Sequence, residues 1–455
     1  MAERFVVSTE CPTCGAPLDF SEGSNAINCG HCRSNLLVTG RKQVLSYWIP
    51  PKLAGPTAVQ IARFAEPHAA GPVRATDVKL YLVPYYRLTG HDFRWTRERV
   101  KPEPDSAIPF RPMGEGSAGV DFSSLSIAFG AEREEVRFQD RHVEKNFIAC
   151  DLQAFGPYSL GVRPSVLRLE LFRRSRVEAL GRVVAPDVDP GPAMEHAMKS
   201  AGTHRVLLRQ VIGRVLSIIY FPFWIVTIER RDGRTLTVLD GISEKVVAKD
   251  VPAGILARLD RPAGAEPPTA GFRPLACPNC GWDLPVNPND VVFFCASCER
   301  AWRLEGARLH DTRYEIAEVA GSGGAEHHLP FWVLEGRTPD GGRRRFFLPA
   351  FRYRRLKILN DLATNLARTQ PSWKKASGKA PALRGCYFDP EDARALARFV
   401  CAGLGSREID ELERFRPEDV DPGEPTLAWI PFREAPHSLV DPFMGTALPR
   451  NLLGV

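Results

Sequence analysis

The sequence predicts an α+β fold dominated by β structure and built as a repeat, in which a small metal-stapled module precedes a β-rich module twice over. Three observations predict it. Eight of the eleven cysteines fall into two tetrads of identical spacing. A short proline–aromatic motif recurs after each tetrad. Gly 37 and Pro 39 are abundant, and few segments carry helical periodicity.

The first tetrad is Cys11-Pro-Thr-Cys14, fourteen residues, then Cys29-Gly-His-Cys32. The second is Cys277-Pro-Asn-Cys280, fourteen residues, then Cys295-Ala-Ser-Cys298. A CxxC knuckle brings two thiolates from one tight turn to a single ion, and two knuckles complete a tetrahedral sulfur shell. Thiolates in this number and geometry select zinc over harder cations. Both tetrads therefore read as rubredoxin-like zinc ribbons, each holding one structural Zn2+ with no open coordination position. Gly15, Gly30 and Gly281 lie in or just after the knuckles, where positive φ is expected. Disulfides would need an oxidising compartment, and redox CxxC pairs come singly. His31 is a minor alternative ligand. Cys150, Cys386 and Cys401 read as buried apolar residues.

The proline–aromatic motif appears as Leu82-Val-Pro-Tyr-Tyr86, Tyr220-Phe-Pro-Phe-Trp224 and Leu329-Pro-Phe-Trp332, with looser copies Phe347-Leu-Pro-Ala-Phe351 and Trp429-Ile-Pro-Phe432. Proline in sheets sits at edges, strand starts and bulges, so each copy is expected to begin or kink a strand. Hairpins are predicted around Asp232-Gly233 and Asp340-Gly341. The aromatic residues read mainly as hidden core.

Apolar residues at three- and four-residue spacing predict helices at 56–66, 193–216, 356–368 and 390–404. Asp389-Pro390-Glu391-Asp392 supplies a cap and an acidic first turn for the last of these. The organisation that follows is ribbon one at 1–40, a β-rich module with helical insertions at 41–250, and a Pro/Gly/Ala linker at 251–271. Ribbon two then occupies 272–310, and an α+β module 311–455.

Lys+Arg 60 against Asp+Glu 54 leaves +6, too mild for a histone-like or polybasic chain. The longest apolar run, Val215–Ile228, has fourteen residues, short of the roughly 20 needed to span a bilayer. No basic segment followed by an apolar one opens the chain, so a cytoplasmic location is expected.

No GxSxG, HExxH, GxGxxG or phosphate loop is present. Gly321-Ser-Gly-Gly324 precedes His327-His328 and a strand, so phosphate cradling is not expected; the two histidines read as surface or partly buried. The carboxylate runs 132–135 and 408–413 read as solvated faces. One basic–aromatic stretch runs from 343 to 357, with Arg343, Arg344, Arg345, Arg352, Arg354, Arg355 and Lys357 around Phe346, Phe347, Phe351 and Tyr353. It is a candidate contact for nucleic acid or an acidic partner, against the alternative that the aromatics pack inside while the arginines stay solvated.

The ribbons, the Pro-Phe-Trp strand and the hairpin closing on Val238-Leu-Asp-Gly-Ile-Ser-Glu-Lys-Val-Val247 together resemble bacterial zinc-ribbon proteins that carry a transcription-factor-IIB-type ribbon or a distant likeness to the primosomal helicase. The resemblance covers about two thirds of the chain and implies a non-enzymatic cytoplasmic protein, in some members linked to membrane-associated ATPase systems. The helicase motor is not implied, because the phosphate loop is missing. The expected function is a zinc-binding scaffold or adaptor for protein partners in a larger assembly, with peripheral membrane association left open. The alternative is nucleic-acid binding through the ribbons and residues 343–357.

Overall fold

The computed structural model describes residues 5–40, 43–66, 74–100, 133–152, 167–198, 205–230, 233–262, 264–319, 327–376, 383–405 and 408–453. Strands dominate, as the composition and motifs predict, and helices are few and short. In the first half three long strands, Arg74–Val100, Arg133–Ile148 and Arg205–Arg230, run antiparallel, with Arg74–Val100 in the middle. The free side of Arg205–Arg230 takes Leu45–Trp48 in parallel and Gly233–Asp240 as a hairpin partner. Beyond Leu45–Trp48 the sheet continues through Arg168–Leu171 to Val6–Glu10 and Pro17–Ser21. The first hairpin of ribbon one is therefore the end of the large sheet.

The second half lays out its strands alike. Pro425–Ala435 pairs antiparallel with His327–Arg337 on one side, and on the other takes Tyr314–Glu318 in parallel and Ser438–Val440 as a hairpin partner. The proline motifs face each other in both halves. Pro84 lies opposite Tyr220 and Pro222 opposite Leu82; Pro330 lies opposite Trp429 and Pro431 opposite His328.

Pro84, Pro222 and Pro330 lie inside their strands and do not begin them, contrary to that part of the expectation. They mark where a neighbouring strand stops. Pairing with Arg133–Ile148 ends at Tyr85, with Gly233–Asp240 at Phe223, and with Arg343–Pro349 at Phe331, in each case one residue past the proline. A residue without an N–H cannot donate to the ladder, so the partner ends there.

Helices Gly55–Phe64, Leu356–Thr369 and Pro390–Ala402 form where the periodicity places them. The last opens on a capping box, with Asp389 Oδ1 accepting from Asp392 N at 2.8 Å. The helix expected at 193–216 is corrected. Pro190–Met198 is helical, but Arg205 onward is strand. The spacing of Val206, Leu207, Val211, Ile212 and Val215 fits either period, and β-branched residues across from Thr96, Asp92 and His91 settle on the sheet. The run Val215–Ile228 is the interior of this one strand. Among the described residues no helix is long and apolar enough to cross a membrane.

The segment 251–271 is anchored. It starts inside strand Val246–Pro252 and carries the helical turn 253–259 with Leu259 buried. Pro268 O accepts from Ser46 N, and the segment ends on strand Gly271–Pro274.

One apolar core joins the two halves. The far ends of the long strands bring Phe93, Trp95 and Ile212 onto the C-terminal helices, where Trp95 stacks on Phe399 with ring centroids 5.9 Å apart. Burying large rings in this way contributes roughly 1.5–3 kcal/mol per side chain. Ribbon one is fastened to the sheet by a buried ion pair, Arg87 Nε to Glu22 Oε2 at 2.7 Å, with the guanidinium 4.4 Å from the Phe5 ring.

Candidate metal centres

Each tetrad is made by two turns of one kind. In the first turn of ribbon one, Cys11 N donates to Ala16 O and Gly15 N to Cys11 O; in the second, Cys29 N donates to Ser34 O and Arg33 N to Cys29 O. Ribbon two repeats the first pattern with Cys277, Gly281 and Trp282. The left-handed residues are Gly15, Arg33, Gly281 and Glu299, with φ of 74°, 61°, 78° and 54°. Gly30 has no positive φ, so that expectation is corrected: in the second knuckle of each ribbon the left-handed position falls after the second cysteine, on Arg33 and Glu299.

These turns bring the four sulfurs of each set within 4.8 Å of one another. Cys11 and Cys32 Sγ are 3.8 Å apart, and Cys14 and Cys29 Sγ 3.9 Å. The corresponding distances in ribbon two are both 3.5 Å. Four sulfurs about 2.3 Å from a central zinc lie about 3.8 Å from each other, so both sets fit a tetrahedral ion. The pattern of exposure is the same in the two: first and third cysteine buried, second exposed, fourth between. His31 is exposed, and the sulfur donors close the shell without it.

The electrostatics of both sets suit a bound cation. A hydroxyl and an amide from Ser34 lower Cys32 to about 6. Desolvation opposes ionisation of Cys277, but the amides of Cys280 and Asn279 and the neighbouring thiols outweigh it and bring it to about 6. The Ala16 amide favours the Cys14 thiolate, yet desolvation and the three adjacent cysteines push it up to about 12. Desolvation and Cys277 do the same to Cys298, again to about 12. Four adjacent thiols cannot all ionise unaided. A divalent cation removes that repulsion and makes four thiolates the stable state. The chemistry Zn2+ would supply is structural, since all four positions are filled by sulfur.

The other cysteines, Cys150, Cys386 and Cys401, are buried, as expected. Burial first, and then nearby carboxylates, raise Cys150 and Cys386, so neither is a reactive thiolate.

The basic stretch is dispersed by the fold. Phe346, Phe347, Phe351 and Tyr353 are all buried and offer no stacking face. Arg344 Nη1 donates to Ala367 O, and Arg345 Nη2 to Pro371 O at 2.6 Å, so both close the end of helix Leu356–Thr369. Arg352 lies 5.9 Å from the Tyr387 ring. Arg343, Arg354, Arg355 and Lys357 are exposed. His327 and His328 are half-buried, with His327 Nε2 3.3 Å from Glu434 Oε2. The Gly321–Gly324 cluster lies outside the described residues, as does Glu132. Glu134 pairs with Arg97, and Glu413 with Arg97 and Arg205.

Sequence reasoning missed two features. Asp92 is fully buried and holds Arg209 by two 2.8 Å bonds, Arg94 at 2.8 Å and Arg141 at 3.3 Å. The alternation Asp92-x-Arg94 within a strand was the available signal. Asp240 and Asp441 build turns described below, for which Asp-x3-Glu or Asp-x3-Gly after a hairpin was the only trace. Comparison with protein-family models, with curated proteins and with solved structures finds no match for this chain.

Proposed function

We propose that this chain is a non-enzymatic, cytoplasmic scaffold or adaptor, stapled by two structural zinc ions and presenting its β modules to protein partners in a larger, membrane-peripheral or soluble assembly. The observation that carries the reading is the closed sulfur shell of each tetrad, which lets metal hold the fold but leaves no position for a substrate.

Nucleic-acid binding is the second reading, favoured by the exposed Arg343, Arg354, Arg355 and Lys357. With the neighbouring rings buried, it would rest on phosphate contacts alone. The test is a mild pull-down of the tagged full chain from its own cells, with and without nuclease, read by mass spectrometry and nucleic-acid staining. Stoichiometric protein partners that survive nuclease are expected. Recovery of nucleic acid, with every partner lost on nuclease treatment, would overturn the scaffold reading in favour of the second.

A further inference from the structure

The two ribbons lie side by side, although Cys11 and Cys277 are 266 positions apart. Strand Gly271–Pro274, the entry to ribbon two, pairs antiparallel with Asn35–Thr39 of ribbon one. The three-stranded sheet of ribbon one is thus completed by ribbon two's own chain. Around it, Leu275 N donates to Asn35 O at 2.8 Å, and Asn35 Nδ2 to Leu284 O at 3.1 Å. Asn25 is buried and reaches the same neighbour twice, through its backbone N to Pro288 O and through Nδ2 to Asp290 O at 3.0 Å.

Beneath these bonds the ribbons share one apolar cluster. Ala26 and Leu37 of ribbon one pack with Leu275, Leu284, Phe293 and Trp302 of ribbon two, and with two of its metal-binding cysteines, Cys277 and Cys295. Ala26 and Leu37 belong to the strands Ala26–Asn28 and Asn35–Thr39 that flank the knuckle Cys29–Cys32. So the walls of the second sulfur shell are packed against the strands that flank the first shell, and an ion in the first shell would hold those strands in place.

Modules of this size bury too little to fold alone, and metal binding supplies the difference. A ribbon that loses its ion loses its strand order, and here those strands are its neighbour's core. We propose that the two metal sites are thermodynamically coupled through the Asn25–Leu37 seam, so that zinc in one tetrad tightens the other. The inference rests on the zinc reading of both tetrads. Coupling of this kind is reciprocal and amounts to roughly 5- to 150-fold in affinity.

The test titrates the zinc-loaded full chain with a competing chelator and follows zinc release. The variants are Cys14→Ser, Cys280→Ser and Leu37→Ala, the last of which keeps all eight ligands. Cys14→Ser is expected to weaken zinc at the second tetrad, and Cys280→Ser at the first, each roughly 5- to 150-fold. Leu37→Ala is expected to release both ions at lower chelator than the parent. Remaining zinc released at the parent's chelator concentration overturns the coupling. Should Cys14→Ser not fold, Leu37→Ala decides, and release of neither ion or of one alone at lower chelator counts against the proposal. A parent that binds fewer than two zinc ions overturns the zinc reading itself.

Discussion

Asp240 and Asp441 make the same turn, one at the end of each half. Asp240 Oδ1 accepts from Ile242 N and Ser243 N, and Asp441 Oδ1 from Phe443 N and Met444 N. Asp240 N donates to Lys245 O and Asp441 N to Thr446 O, while Glu244 and Gly445 take the left-handed position with φ of 62° and 72°. The zinc knuckles have this backbone too: Cys11 takes the amides of Thr13 and Cys14, and Gly15 is left-handed. The two aspartates are knuckles in which a carboxylate gathers the amides that a thiolate gathers elsewhere. Both are buried, so their side chains close the turn without metal.

Asp441 accepts from a third amide, Thr446 N at 2.5 Å. Asp441→Ala strands these donors, and since an unsatisfied buried donor costs roughly 1–3 kcal/mol, a loss of that order is expected in urea unfolding. Asp441→Asn keeps one acceptor oxygen and should lose less. Equal losses for the two variants would contradict the role of the carboxylate.

Asp92 faces three guanidinium groups, those of Arg94, Arg141 and Arg209. Removing one partner from a buried ionic set costs about 3–5 kcal/mol because the remaining charges are left uncompensated. Asp92→Ala is expected to lose stability in that range. A loss below about 1 kcal/mol would show that water compensates the Arg94 and Arg209 guanidinium groups as it already does the half-exposed Arg141.

Asp290 sits where both ribbons meet the C-terminal module. Its backbone O holds Asn25, its Oδ1 holds Asn287 Nδ2 at 2.9 Å, and Gly385 packs so closely that an added Cβ would lie 1.8 Å from Oδ2. Burial pushes its carboxyl up to about 8, against weaker opposing effects of Asn287 and Arg384. In the unfolded chain it titrates near 3.9. Between about pH 4 and pH 8 the folded state therefore keeps a proton that the unfolded state releases, and stability from this group falls as pH rises through that window. Asp290→Asn should remove this slope, narrowing the difference in unfolding free energy between pH 5 and pH 8 relative to the parent. Parallel pH profiles for parent and variant would sink the assignment.

The rings of Phe346, Phe347, Phe351 and Tyr353 are buried, so binding of single-stranded nucleic acid by the stretch 343–357 should be weak and carried mainly by phosphate. Changing Arg352, Arg354 and Arg355 together to Ala is expected to leave recovery of protein partners intact in the pull-down. Loss of those partners, together with a steep salt dependence of nucleic-acid binding in the parent, would reverse that expectation.

The metal centres were legible because their chemistry confines the ligands to short knuckles, where spacing alone specifies geometry. Helices Leu356–Thr369 and Pro390–Ala402 were legible because one face is apolar and Asp389 caps the second. Arg205–Leu216 was not, since its apolar residues satisfy a helix and a partly buried strand alike. The seam between ribbons was hidden for another reason. It is made by residues such as Asn25, Asn35 and Leu37, ordinary in type and paired with partners far along the chain. The burial of the 343–357 rings depends likewise on helices that arrive later in sequence.

The most direct measurement is zinc content per chain, by plasma mass spectrometry, on full-length protein purified without added metal, together with thiol accessibility before and after chelation. Two zinc ions per chain are expected, with the eight tetrad thiols protected from alkylation until chelator and denaturant are added together. Less than one zinc per chain, with those thiols freely alkylated in the native protein or oxidised to disulfides, would contradict two structural zinc sites.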